Sequence, residues 1–369
     1  MKYGLEFLQN LSKKELINMK HIAILIPTIK SGGAEKQASL LAEVLSNKYE
    51  VHFISFYGLN NASVYNKDRL ENSSAILHFL EGSIFSKIIE LRKILIENHI
   101  DTVFNYLTFC DVIGAFIEKT SGVKHIYNGI RNSKLPKIKC IAEKLSHNYI
   151  ATATIYNCYS GAETFFEKGF NGNKNIVIPN CFSPISDFIS RIDCTIKTII
   201  TVGRFVEQKD YLTALKVITE LNKVRNDFKF IIVGYGELES QIRKWVKEFH
   251  IANVVDIRIN PNNIPELLRD ADIYLSTSLF EGTSNSIMEA MNYSLPVVAT
   301  NVGDNSYLIE QDKSGFLTSI GDVEGITQFV SSLLDNHIMR VEFGKYANVK
   351  LRNEYTKEIF VSNYVKLLQ

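Results

Sequence analysis

Apolar residues fall into two alternating rhythms along this chain. Short continuous runs at 22–27, 51–56, 102–106 and 125–128 read as buried strands. Between them, apolar residues return at helical spacing. Ala38, Leu41, Ala42 and Leu45 stand at i, i+3, i+4 and i+7, one face of an amphipathic helix, and residues 84–96 and 112–118 read as further helices. The pattern breaks around Ile178-Pro179-Asn180 and Ser183-Pro184, then restarts with an apolar strand at 198–202. A helix on Leu212, Leu215, Ile218, Leu221 and Val224 follows, then strands at 228–233, 254–257, 273–275 and 296–299. Strands alternating with helices predict right-handed βαβ crossovers and parallel sheets. The expected class is α/β, with two doubly wound halves joined near residues 180–195.

Composition narrows the function. At 369 residues the chain has the length of two ordinary domains. Hydrophobic residues at 46% and charged residues at 22% exclude disorder, collagen-like repeats and a coiled coil as descriptions of the whole. Lys and Arg number 41 against 40 Asp and Glu, so no global field favours nucleic acid, and any anion site must be local. The five cysteines form no CxxC pair and read as free thiols. No apolar run reaches 18 residues, so no membrane-spanning helix is expected. Residues 1–18 lack the apolar core of a signal peptide and read as an extension ahead of a second start at Met19.

Gly32-Gly33 stands between the first strand and the first helix. Glycines there let the backbone approach a ligand, with the helix behind offering unpaired N–H groups; a plain tight turn explains them equally well. Gly234-Tyr235-Gly236 follows an apolar strand, but Glu239 stands where a dinucleotide fingerprint requires its third glycine. A nicotinamide-type site is therefore disfavoured, while a loop bordering a nucleotide stays open. Val202-Gly203-Arg204 and Lys209 lie at the carboxyl end of a strand, where a fork and a point charge suit a diphosphate; two solvated surface charges are the plain alternative. The most informative stretch is 280–291. Ser284 or Asn285 is a candidate N-cap there, and Glu281 and Glu289 stand eight residues apart, suited to sugar and ribose hydroxyls. Taken alone, Glu281 also reads as a favourable charge at a helix N-terminus and Glu289 as a surface residue.

Together with Leu295-Pro296-Val297-Val298-Ala299-Thr300, these segments resemble the family 4 glycosyltransferases, retaining enzymes of the GT-B architecture. Glu281 and Glu289 match that family's E-x7-E motif, and Gly32-Gly33-Ala34-Glu35 is similar to its N-terminal glycine loop. The resemblance spans residues 20–335, most specifically 272–303. It implies two Rossmann-like domains facing across a cleft: an acceptor-binding domain at 19–185, a nucleotide-sugar domain at 186–350, and a C-terminal helix at 351–369 packing back on the first. It further implies metal-independent, retaining transfer of a hexosyl unit from a nucleotide sugar, a UDP-sugar before a GDP-sugar, with no cofactor. The acceptor would be a glycan or a polyprenyl-diphosphate-linked glycan of bacterial surface polysaccharide assembly. Arg204, Lys209 and Glu281 would act on the reacting groups. Gly33, Gly203, Gly234, Gly236, Thr283, Ser284, Asn285 and Glu289 would hold the donor. Three positions depart from the family pattern: Ser284 where Pro is common, Ser294 for a frequent Gly, and Asp304 for a second Gly.

The N-terminal half matches less. Tyr106, Asp111, Arg131 and Asn132 are its candidate acceptor residues, by their places near strand ends. Between Lys119 and Lys144 stand seven basic residues and one acid, Glu143, with Ile138, Ile141, Ala142 and Leu145 as the apolar side of a short helix. Such a segment suits peripheral contact with the inner face of the cytoplasmic membrane, or an acceptor's diphosphate; a solvated basic face is the plain alternative. His125, in an apolar strand, reads as a core residue. Two other functions remain open: a nucleotide-sugar epimerase on the same architecture, which needs no acceptor, and a non-catalytic nucleotide-sugar-binding protein, which has no reason to keep Arg204, Lys209, Glu281 and Glu289 together.

Overall fold

A computed structural model describes residues 20–59, 62–131 and 135–369. The chain divides into two compact units, one running to Asn180 and regaining Glu358–Gln369, the other Cys181–Lys357. Strands β1 (His21–Ile26), β2 (Glu50–Ser55), β3 (Ile76–Phe79), β4 (Thr102–Asn105), β5 (His125–Ile130), β6 (Ala153–Tyr156) and β7 (Asn175–Val177) build the first sheet, in the order β3-β2-β1-β4-β5-β6-β7. Every pairing in it is parallel. The second unit holds β8 (Lys197–Val202), β9 (Phe228–Gly234), β10 (Val255–Ile259), β11 (Ile273–Ser276), β12 (Val297–Thr300) and β13 (Gly315–Thr318), again all parallel, in the order β10-β9-β8-β11-β12-β13. Both units are thus doubly wound, as the alternating pattern predicts, and each reverses strand order beside its first strand.

The helices that matter for the site are α1 (Gly33–Leu45), α2 (Ile84–Glu97), α3 (Ala115–Thr120), α4 (Lys137–Leu145), α5 (Tyr211–Val224), α6 (Asn285–Asn292), α7 (His337–Glu354) and α8 (Lys357–Lys366). In α5 the core face is Tyr211, Ala214, Leu215, Val217, Ile218 and Leu221, whereas Val224 is 80% exposed. A strict spacing of three lags the helix by roughly 60° at each step, so the expected apolar row winds out of the core by its last member. The helix expected at 112–118 is entered through a π-helical turn at Cys110–Gly114 before α3 begins. β3, β6, β7 and β13 have no counterpart among the expected strands; each is three or four residues long. His125 opens β5 on an exposed position rather than in the core.

Residues 181–185 and 351–357 belong to the second unit. Phe182 donates its N–H to the Tyr355 carbonyl at 2.8 Å, and Asn348 of α7 donates to the Asn292 and Ser186 carbonyls, each at 3.2 Å. α8 packs on the first sheet: Tyr364 is fully buried edge-on against Phe104 of β4 at 5.1 Å, and Tyr127 of β5 donates to the Leu367 carbonyl at 3.1 Å.

Candidate active site

In the C-terminal unit β8 and β11 are neighbours at the point where strand order reverses, and ligands of open α/β sheets lie outside the carboxyl ends of such strands. Beyond β8 the chain passes through Gly203-Arg204-Phe205 to a single 3-10 turn, Glu207–Lys209. Asp210 then adopts a left-handed φ of 44° and caps α5, its carboxylate accepting from the Thr213 N–H at 3.3 Å and the Thr213 hydroxyl at 2.6 Å. The loop after β11 is stitched to this one. Thr277 Oγ1 donates to the Lys209 and Asp210 carbonyls at 3.1 and 2.9 Å, Gln208 Nε2 donates to the Phe280 carbonyl at 2.7 Å, and the Leu279 N–H to the Gln208 carbonyl at 2.8 Å.

That stitching sets Lys209 Nζ 2.6 Å from Glu281 Oε1, which also accepts from Ser278 Oγ at 2.7 Å. With side chains 17% and 9% exposed, the pair is shielded from the screening that weakens surface ion pairs. Arg204 is exposed and, among the described residues, its guanidinium makes no hydrogen bond or ion pair. Tyr274, on β11, donates to the Val202 carbonyl at 3.1 Å. Burial raises its pKa, and the charges of Glu289 and Glu281 raise it further.

Ser284 takes the N-cap position of α6, yet its hydroxyl caps no backbone N–H and instead lies 3.2 Å from Ser286 Oγ. First-turn N–H groups of α6 are thus left without a side-chain cap. The loop after β12 closes the floor beneath Glu281. Thr300 Oγ1 donates to the Ser278 carbonyl at 2.6 Å, the Asp304 N–H to the Gly282 carbonyl at 3.2 Å, and Thr283 Oγ1 lies 3.5 Å from Asp304 Oδ2. Asp304, at a family glycine position, is therefore a buried strut of this loop. Gly234 is needed for close approach: a Cβ there would overlap the Gly203 carbonyl oxygen and sit 2.8 Å from the Phe205 ring. The structure thus unites Gly203, Arg204, Lys209, Gly234, Gly236, Glu281, Thr283, Ser284, Asn285 and Glu289 within the C-terminal unit.

The other candidates lie in the N-terminal unit. Gly33 opens α1, and a Cβ there would meet nothing within 4 Å. Tyr106 is fully buried, and its ring carries the Arg131 guanidinium at 4.5 Å. Arg131 Nη2 donates to Tyr364 Oη at 2.8 Å. Asn132 lies outside the described residues. Asp111 has no exposed surface; its Oδ1 accepts from the Gly129 N–H at 2.7 Å, so in this conformation it orders the protein backbone rather than an acceptor hydroxyl. It belongs to a buried polar network that sequence reasoning missed. Asn105 donates to Glu118 at 2.9 Å, and Asn128 donates to Ser146 Oγ and to the Asp111 carbonyl, each at 2.9 Å. Burial pushes Asp111 up to about 7, Glu118 to about 8 and Glu143 to about 10. The one hint in the sequence was Glu143, a lone acid in a basic run.

Two parallel doubly wound sheets, the second with a cation–carboxylate pair at its switch point, have the architecture of the GT-B fold. Residues 183–350, within the C-terminal unit, match the sequence model of the glycosyl transferases group 1. The chain is 26% identical over 329 residues to an uncharacterized glycosyltransferase of Haemophilus influenzae, covering 86% of this chain and 91% of that one. It is 24% identical over 347 residues, 91% of this chain and 94% of the relative, to the GalNAc-alpha-(1->4)-GalNAc-alpha-(1->3)-diNAcBac-PP-undecaprenol alpha-1,4-N-acetyl-D-galactosaminyltransferase of Campylobacter jejuni. Its fold is that of Anabaena Alr3699/HepE, solved in complex with UDP, with a TM-score of 0.79 at 18% identity over 95% of this chain and 99% of that one.

Proposed function

We propose that the chain transfers a hexosyl unit from a UDP-sugar, with retention of configuration and without a metal, to a polyprenyl-diphosphate-linked glycan of bacterial polysaccharide assembly. The observation that carries this is the Lys209–Glu281 pair at 2.6 Å beside the exposed Arg204, at the sheet's switch point. Breaking a sugar–phosphate bond leaves negative charge on the departing diphosphate. Arg204 offers it a bidentate fork, Lys209 a point charge fixed in place by Glu281, and the first turn of α6 its N–H groups. Glu281, engaged by Lys209 and Ser278, orients sugar hydroxyls in this reading rather than attacking as a nucleophile, and Glu289 takes the ribose. A diphosphate-undecaprenol acceptor in the Campylobacter relative and bound UDP in HepE support the acceptor and the base.

Thermal stabilisation by UDP, GDP and ADP, each with and without EDTA, tests the donor. A ligand at 100 times its Kd adds about 2.7 kcal/mol. A UDP shift that survives EDTA is expected, a GDP shift would change the donor, and no shift with any nucleotide would overturn the transferase reading. Proton NMR of the product's anomeric coupling tests retention.

We also propose peripheral attachment to the cytoplasmic face of the membrane, through α4. This helix is inverted: Glu143 is 1% exposed while Ile138, Ile141 and Leu145 are 83%, 61% and 55% exposed, beside Lys137, Lys139 and Lys144. Among the described residues no helix is long and apolar enough to cross a membrane. An apolar stripe edged by lysines suits the boundary of an anionic bilayer. Co-sedimentation with phosphatidylglycerol vesicles, lost in an Ile138→Ser/Ile141→Ser variant, is the expected result; binding unchanged by that variant would refute it.

A further inference from the structure

A second polar site lies in the N-terminal unit, over the carboxyl ends of β4 and β5. A narrow pocket there, with room for about one oxygen-sized group, is lined by Leu107, Thr108, Gly129, Arg131 and Glu143. Among the described residues Arg131 Nε and Nη1 are buried without hydrogen-bond partners, and the Glu143 carboxyl lies against Thr108 and Asp111. An orphaned buried donor costs the fold its full desolvation penalty, so retaining two such nitrogens at one pocket calls for a ligand that meets them. Two further features surround it: Leu107 holds a left-handed φ of 71°, and π-helical turns at Cys110–Gly114 and Ser146–Ile150 meet where Ser146 Oγ donates to the Asp111 carbonyl.

We infer that Arg131, with Thr108 and the Glu143 carboxyl, receives one oxygen of a phosphate group on the acceptor, and that Tyr364 of α8 is the positioning residue that aims the guanidinium. The chemistry of the pocket is that of donors. Arg131 has two open nitrogens, Nε and Nη1, to give. Glu143, pushed up to about 10 by burial, leans on Thr108 and Asp111 and sets no carboxylate charge against an anion. An acceptor-rich ligand satisfies the two open nitrogens, and an oxyanion also complements the guanidinium charge. The guanidinium cannot swing freely: it stands over the Tyr106 ring at 4.5 Å while its third nitrogen is tied to Tyr364 Oη at 2.8 Å, and Tyr364 Oη stands 3.3 Å from Tyr106 Oη. The last helix of the chain thereby takes part in a site more than two hundred residues upstream. This inference rests on the transferase reading for the identity of the ligand, but not for the anion site itself.

The test uses the full-length chain carrying Arg204→Ala and Lys209→Ala, which removes the diphosphate site of the C-terminal unit. Binding of inorganic pyrophosphate and of farnesyl diphosphate is measured by calorimetry. Saturable binding is expected, weakened about ten-fold or more by Arg131→Gln and roughly three-fold by Tyr364→Phe, with Arg131→Lys in between. Tyr364→Phe keeps the buried ring, so a loss of affinity without a fall in Tm separates aiming from support of the fold. Tighter binding of farnesyl diphosphate assigns a lipid-linked source; equal binding of the two assigns a free phosphate. No binding of either probe, or binding indifferent to Arg131→Gln, overturns the inference. If UDP stabilises the unmodified chain while Arg131 proves indifferent, the transferase reading stands and this pocket alone is wrong. If no nucleotide stabilises it, that reading falls while the anion site is still judged by its own titration.

Discussion

The two units handle charge in opposite ways. In the C-terminal unit, charged side chains stand at the rim of a sheet, where Lys209 is paired with Glu281 at 2.6 Å. In the N-terminal unit three carboxyl groups, Asp111, Glu118 and Glu143, are sealed inside with no cation within ion-pair distance among the described residues, and burial drives all three toward the protonated form. The first arrangement keeps a cation and a carboxylate together at an open edge. The second holds carboxyl groups out of ion-pair distance, with the Arg131 guanidinium nearby. The difference teaches that one chain can place acids either where a cation meets them or where burial keeps them protonated.

The sharpest break in this comparison is Arg204→Ala. The side chain is exposed and makes no described bond, so its loss should leave Tm unchanged while transfer falls by roughly 100- to 1000-fold, the size of effect seen when a donor to a developing anion is removed. Measured kcat/KM and a melting curve on one preparation decide it. A variant that melts early instead would make Arg204 a structural residue and erase the contrast.

That contrast also explains what could be seen in the sequence. Val202-Gly203-Arg204, Lys209 and Glu281 stand at or after the carboxyl ends of strongly apolar strands, and Glu289 lies in the helix after the second of them, so local pattern and chain order place them at one sheet edge. The buried network draws on Asn105, Asp111, Glu118, Asn128, Glu143 and Ser146, scattered over six elements with no common spacing. α4 misled most: its period was legible, but which face turns inward depended on Asp111 and Arg131 waiting beneath, and the acid went in while the isoleucines stayed out. Short strands such as β7 were invisible because three half-buried residues carry no period.

A second break concerns pH. Glu143 keeps its proton in the fold up to about pH 10, whereas in the unfolded chain it loses it near 4.5. Between those values the native state binds the extra proton, so stability falls as pH rises. Glu143→Gln cannot ionise, and its advantage over the parent should grow by up to about 1.4 kcal/mol for each pH unit from 5 to 8. The row on β2 and β3 acts in the other direction. Hydrogen bonds from His52 and His21 hold Glu50 at about 2, a contribution present above pH 4.5 and lost as pH falls through 2; burial lowers His78 to about 4, a contribution lost as pH falls from 6.5 through 4. Urea midpoints of both proteins at pH 5, 6.5 and 8 read out Glu143 together with Asp111, which titrates with it, because the histidine row is common to both. A constant difference across pH would mean that Glu143 is ionised in the fold.

Two glycines that read alike in the sequence sharpen the comparison at a smaller scale. Gly234→Ala places a Cβ into the Gly203 carbonyl and should cost about 2 kcal/mol or more, with weaker UDP stabilisation because the β8 loop must shift. Gly33→Ala meets open space at the start of α1 and should be neutral or stabilising by about 0.4–1 kcal/mol. Thermal unfolding of both variants settles whether close approach belongs to the C-terminal loop alone.

The smallest effect is the most diagnostic of how α6 meets its ligand. An N-cap serine normally contributes about 0.5–2 kcal/mol through its bond to a first-turn N–H. Ser284 makes no such bond, its hydroxyl lying instead by Ser286 Oγ at 3.2 Å. Ser284→Ala should therefore cost less than about 0.5 kcal/mol in the absence of ligand, measured by urea unfolding. The same variant should still gain the full UDP stabilisation, because the donors that matter are the backbone N–H groups and no side chain competes for them. A larger loss would show that Ser284 does cap the helix in solution, which would put its hydroxyl, rather than the phosphates, on those N–H groups and weaken the case that α6 was left open for an anion.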